Sequence, residues 1–244
     1  MCINLVSSLE LSAFDRISIT IIRINNMKFK GILFDLDGTL IDSLAVVDRA
    51  WRSWAKRNAL DAEHVMQVIH GRPARESVME LLKGADALKI EQEFSWLERY
   101  ESEDTQGVYA LPGAVALLNQ LNTLQIPWAI VTSGTLPVAS ARIKASGLPA
   151  PKVLITPEQV KKGKPDPEPF LLGAEKLGFA ARHCLVFEDA PAGVKAGHLA
   201  NCAVIALLTH FKPKQLPGAQ YYIDSLEELL IQENEGEFRL SFTR

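Results

Sequence analysis

The chain has 244 residues, 48% hydrophobic and 23% charged, with a net charge of −3; that length suits one large domain, or a core domain with a smaller one inserted, and needs no covalent staples. The near-neutral balance offers no basic face for nucleic acid or an anionic membrane, and no apolar stretch reaches the length of a bilayer span. Cys2, Cys184 and Cys202 are too widely spaced to frame a disulfide set or a zinc site, as expected of a chain in a reducing cytosol.

Residues 1–26 carry a short apolar patch at 17–22, but Glu10 and Asp15 precede it and no cleavage pattern follows, so it does not read as a signal peptide. Met27 stands just before Lys28-Phe29-Lys30. The functional polypeptide is expected to start there, with 1–26 an upstream extension; an amphipathic surface segment is the alternative. Gly31-Ile32-Leu33-Phe34 reads as a buried strand running into an acidic loop. Over 43–57, Val46, Val47, Ala50, Trp51, Trp54 and Ala55 form one helical apolar stripe. Helical spacing recurs at 61–70, 75–82 and 87–100, with no strand pattern before Val108, so 43–108 reads as a small helical module. Beyond Leu111-Pro112-Gly113 the pattern alternates. Helices are predicted at 114–124, 136–146, 167–177 and 191–200, and strands at 127–131, 152–155, 184–187, 203–208 and 221–223. A last helix is predicted at 226–231, and the polar tail beyond it has no assigned role.

This alternation predicts an α/β fold, a parallel sheet with helices on both faces. Polar residues that follow strands of such a sheet gather at one edge, where ligands bind. Here they are Asp35 and Asp37, Thr132 and Ser133, and Glu188 and Asp189, with Lys164 in the loop before the helix at Pro167. Crowded carboxylates repel unless a cation offsets them, and an all-oxygen donor set suits Mg²⁺. Lys164 and the hydroxyls would face an anion instead. A site for both reads as phosphoryl chemistry. Asp35 can act as a covalent nucleophile, Asp37 as general acid and base, and Gly38 permits a tight turn past a phosphate.

At this point the chain resembles the haloacid dehalogenase superfamily of phosphatases. Four ordered motifs carry the resemblance: Asp35-Leu36-Asp37-Gly38-Thr39-Leu40, Thr132-Ser133-Gly134, Lys162-Gly163-Lys164-Pro165-Asp166-Pro167, and Glu188-Asp189-Ala190-Pro191-Ala192-Gly193. The resemblance implies a Rossmann-like core at 27–42 and 109–244 and an inserted helical cap at 43–108. It implies Asp35 as nucleophile and Asp37 as acid/base. Mg²⁺ would be held by Asp35, the Asp37 carbonyl and Asp189 with Glu188 close by, and phosphate by Thr132, Ser133 and Lys164. The motifs look closest to the sugar and polyol phosphatases and the β-phosphoglucomutases. In that subgroup the cap loop 71–76 contacts substrate, which makes Arg75 the better candidate and Arg72 the lesser. Mutases carry a histidine at the position of Val47, so its absence favours hydrolysis of a small phosphorylated metabolite over isomerisation. A non-catalytic binder would have no need of both Asp35 and Asp37.

Each residue also has a plainer reading. Thr132 and Asp166 suit helix N-caps, the tryptophans of 43–108 suit a helical core, and Cys184 and Cys202 suit buried inert thiols. The five histidines form no ligand pair. A monomer is the default expectation.

Overall fold

A computed structural model describes residues 27–69, 73–234 and 237–242. The expected extension at 1–26 and Arg72 lie outside the described residues. In chain order the elements are β1 (Met27–Phe29), β2 (Gly31–Phe34), β3 (Ile41–Asp42), α1 (Leu44–Arg57), α2 (Ala62–Ile69), α3 (Ala74–Leu81) and α4 (Ala87–Glu103). They continue with β4 (Tyr109–Ala110), α5 (Ala114–Thr123), β5 (Trp128–Val131), α6 (Leu136–Ser146), β6 (Leu154–Ile155), α7 (Glu168–Lys176), β7 (Cys184–Glu188) and α8 (Pro191–Leu199). The chain then forms β8 (Ala203–Leu207), β9 (Tyr221–Ile223), β10 (Leu229–Asn234) and β11 (Glu237–Phe242).

The main sheet has the order β6-β5-β2-β7-β8-β9, with every pairing parallel. Its central strands are apolar up to Glu188 at the end of β7, because both faces are covered. Side chains alternate between the faces. Ile32, Phe34, Trp128, Ile130, Leu185 and Phe187 pack into one core with Leu117, Leu118 and Leu121 of α5 and Ala139 and Ile143 of α6. Leu33, Ala129, Val131, Cys184 and Val186 face the other side, against Phe170 and Ala174 of α7 and Val194 and Ala196 of α8. The sheet is the α/β core expected from the alternating pattern.

α1 to α4 bury a separate core, with Ala50, Trp51, Trp54, Ala55, Val65, Val78 and Leu97 at its centre. Trp51 and Trp54 meet edge to face at 5.4 Å. Glu93 is buried beside this core, where its carboxylate accepts hydrogen bonds from Arg57, Asn58 and Lys89 at 2.9 Å each. Burial works against the charged form, but these three donors outweigh it and hold the Glu93 carboxyl down at about 2. The chain leaves for this module through β3 and returns through β4. These strands pair antiparallel over Ile41↔Ala110 and Asp42↔Tyr109, and the Tyr109 hydroxyl donates to Asp42 at 2.7 Å. At two residues each they are too short to leave a periodic trace in the sequence.

The structure corrects the predicted helix at 226–231. A single 3-10 turn, Leu226–Glu228, is closed by the reciprocal Ser225 and Glu228 capping bonds, and the chain then runs into β10. Leu229 and Ile231 are buried while Leu230 is exposed, the alternation of a strand. β10 pairs with β11, and β11 pairs with β1, where Met27 meets Leu240 and Phe29 meets Phe238. The tail without an assigned role therefore closes a three-stranded sheet. Its Leu240 and Phe242 help fill the core shared with α5 and α6.

Candidate active site

β2 carries its ladder one residue past its end: the Asp35 amide donates to the Phe187 carbonyl at 2.9 Å. Asp35 is thereby set beside Glu188, the last residue of β7, and Asp189, which follows it. The three carboxylates are buried, and one oxygen from each lies within 4.8 Å of the others. Lys164 joins them, its Nζ donating to Asp35 Oδ1 at 2.6 Å, Glu188 Oε1 at 2.7 Å and the Val131 carbonyl at 2.9 Å. That ammonium also lies 4.9 Å from the centre of the Phe170 ring.

One ammonium does not balance three buried carboxylates. Burial lifts Asp35 to about 7 and Asp189 to about 6, and raises Glu188 as well. Burial alone would lower Lys164, but Asp35 and Glu188 outweigh it and hold the ammonium well above its ordinary range. The crowded carboxyls therefore hold their protons more tightly than usual, and a hard divalent cation could take the place of those protons. The cluster's donors are all oxygens, so the residues fit Mg²⁺.

Two glycines let these groups meet. Gly38 has φ +86°, and a Cβ there would collide with the Asp189 carboxylate. At Gly193, on the first turn of α8, a Cβ would overlap the Glu188 carboxylate. Glu188 is fully engaged: Oε1 takes the Lys164 ammonium and Oε2 accepts from the Ala190 amide at 2.8 Å. Its geometry orients Lys164 and the loop leading into α8.

Asp37 stands slightly apart and is more exposed. Its Oδ1 accepts from the Ser43 hydroxyl at 2.6 Å and from Arg142 Nη1 at 2.8 Å. Thr132 is buried at the end of β5, where its Oγ1 accepts from the Gly134 amide at 3.0 Å, and Ser133 is half-buried beside it. Asp35, Asp37, Thr132, Ser133, Lys164, Glu188 and Asp189 are thus all carried by one sheet edge. Arg75 is not brought to them. It lies on α3, ion-paired to Glu91 of α4 at 2.6 Å and set over the Phe94 ring.

Four site neighbours were missed by the sequence reading. Arg142 and Ser43 hold Asp37. The Thr209 hydroxyl donates to the Gly38 carbonyl at 2.7 Å, and His210 Nδ1 lies 3.0 Å from Asp189 Oδ2. The hydrogen bond to Asp189 raises His210 above its ordinary value. The signal available for Thr209 and His210 was their position just after β8, a fourth strand end on the same edge.

Residues 29–201 match the family described as haloacid dehalogenase-like hydrolase. Among curated proteins, the chain is 50% identical over 205 residues to hexitol phosphatase A of Escherichia coli, a match covering 84% of this chain and 95% of that one. It is 38% identical to glycerol-1-phosphate phosphohydrolase 2 of Saccharomyces cerevisiae, over 76% of this chain and 77% of that one. Among solved structures, a hydrolase from Pseudomonas syringae superposes with a TM-score of 0.73 at 28% identity, over 81% of this chain and 94% of that one. The four sequence motifs, the carboxylate edge and strands β2, β5, β6 and β7 of the parallel sheet all lie within the matched residues 29–201. The chain belongs to the haloacid dehalogenase-like hydrolase family and is a phosphatase within it.

Proposed function

We propose that the protein hydrolyses phosphate monoesters of sugars or sugar alcohols in a Mg²⁺-dependent reaction, through a phosphoenzyme on Asp35. The observation that carries this reading is the Lys164 ammonium 2.6 Å from Asp35 inside a cluster with excess buried carboxylate. Relatives named as a hexitol phosphatase and a glycerol-1-phosphate phosphohydrolase support the substrate class. Residues 43–108 act as an inserted cap over a core made by 27–42 and 109–244.

In this reading an Asp35 carboxylate oxygen attacks phosphorus while the bond from phosphorus to the sugar oxygen breaks. Asp37 gives its proton to that departing oxygen. Water then attacks the aspartyl-phosphate, Asp37 takes the water's proton, and inorganic phosphate and the Asp35 carboxylate are regenerated. Lys164, the Thr132 hydroxyl and the Ser133 amide hold the phosphoryl oxygens. Glu188 fixes Lys164, as the 2.7 Å bond between them requires. Asp35, the Asp37 carbonyl and Asp189 would hold Mg²⁺, with Glu188 beside them. When bound, the ion neutralises phosphoryl charge so that an anionic nucleophile can approach. Val47 is packed against the core of the helical module and offers no proton or hydrogen bond, which supports hydrolysis over isomerisation.

The test is phosphate release from a panel of hexitol, hexose and glycerol phosphates, with chelator and with Mg²⁺ restored, together with acid-quench trapping of labelled phosphate on protein. Expected are activity on a sugar or polyol phosphate that is lost with chelator and recovered with Mg²⁺, and label absent from Asp35→Asn. Chelator-insensitive turnover, or label that persists in that variant, would overturn the reading.

A further inference from the structure

Asp37 is held by one of its two oxygens. Ser43 and Arg142 both donate to Oδ1, at 2.6 and 2.8 Å. Two donors occupy both lone pairs of that oxygen. Oδ2 receives neither, and it faces the loop after β5: a Cβ built on Gly134 would stand 3.9 Å from Oδ2 and 3.4 Å from Thr132 Oγ1. Arg142 belongs to the core, in the middle of α6, and its side chain is only 5% exposed. Its Nη2 donates to Glu101 Oε1 at 3.1 Å, while its buried Nε has no partner. Glu101 is buried in the last turn of α4, the final helix of the inserted module. One guanidinium thus spans a carboxylate at the sheet edge and a carboxylate of the helical module.

A buried arginine between two carboxylates is a poor way to gain stability, since a well-packed apolar set does as well or better. It is a good way to fix orientation, because the planar fork sets the plane of the carboxylate it binds. We propose that Arg142 is a positioning residue for Asp37, with Glu101 as its anchor. Together they saturate Oδ1 and leave Oδ2 to exchange the proton. The orientation of the acid/base is thereby tied to where α4 sits. This inference rests on the acid/base role given to Asp37 above.

The experiment compares kcat/KM for a hexitol phosphate, whose alkoxide must be protonated as it leaves, with that for p-nitrophenyl phosphate, whose leaving group departs unprotonated. Arg142→Lys keeps the charge but cannot span both carboxylates. It is expected to lose about 30-fold or more on the hexitol phosphate and less than about threefold on the aryl ester, a split of about tenfold or more, part of the roughly 10²–10⁴-fold a general acid contributes in full. Glu101→Gln, which keeps shape and acceptor, is expected to show the same split at about fivefold. In an Asp37→Asn background, Arg142→Lys should add less than about twofold, because the residues act as a unit. Equal losses on both substrates, or full additivity with Asp37→Asn, would overturn the positioning role. A different failure is recognisable separately: if Asp37→Asn itself hydrolyses the hexitol phosphate at the wild-type rate, the acid/base assignment falls.

Discussion

Two charged clusters among the described residues are built on opposite terms. At the sheet edge Asp35, Lys164, Glu188 and Asp189 are all buried, and their carboxyls are pushed upward by burial. In the helical module, Glu93 and Glu101 apart, the ion pairs lie at the surface, as Arg75 with Glu91 and Arg52 with Glu63 do. Glu93, although buried, is reached by the half-exposed Arg57 and Lys89 and is pulled downward. In the first cluster the buried carboxyls outnumber the ammonium set among them. The second is satisfied by the protein itself. The core thus holds chemistry fixed, while the module can vary its exposed side chains without disturbing its fold.

Four substitutions separate these terms. The largest effect is expected for Asp35→Asn, which should lower kcat by about 10⁴-fold or more in a phosphate-release assay. Its metal-free stability should show the opposite sign. The Asp35 carboxyl is raised to about 7 from 3.8, so its favourable contribution is present below the lower value and is lost as pH climbs through the higher one. Thermal melts in chelator should therefore show wild type losing stability from about pH 4 to 7 relative to the variant. Next comes Lys164→Met, which strands Asp35 and Glu188 without their buried cation. A loss of about 3–5 kcal/mol in urea unfolding is expected, accompanied by loss of turnover.

A smaller effect is expected for Glu93→Gln. It should cost about 1–2 kcal/mol at neutral pH, read as faster amide exchange in α1 and α4 before the sheet is affected. The Glu93 carboxyl is depressed from 4.5 to about 2, so its contribution is present above the first value and lost as pH falls through the second. The difference between wild type and variant should vanish over that acid window; a gap that persists at pH 2 would show that charge is not the cause. Arg75→Ala should change stability by less than about 0.5 kcal/mol, as exposed ion pairs do. It should also shift KM for a hexitol phosphate by less than about threefold if Arg75 stays with Glu91. A tenfold rise would show that Arg75 leaves its partner for the substrate.

What the sequence disclosed follows from where each residue sits. Asp35, Thr132 and Asp189 were legible because each follows an apolar run, and parallel strands bring such positions to one edge. Arg142 and Glu101 were not, because they stand 41 residues apart in sequence and meet from two different helices. Their trace was a charge on a buried helical stripe: Arg142 beside Val138, Ala139 and Ile143 on α6, and Glu101 one turn after Leu97 on α4. The helix expected at 226–231 failed because six residues do not distinguish a short helix from alternation. What decided it was the pairing of β10 with β11, a contact outside that window.

That pairing also bears on how the chain matures. β1 is made some two hundred residues before its partner β11. The core against α5 and α6 lacks Leu240 and Phe242 until then. A nascent chain halted before β11 would carry an apolar face with no cover and an unpaired strand at its N-terminal side, which is substrate for a chaperone. The apolar core of the helical module, by contrast, is built from α1 to α4 and takes no residue from β11.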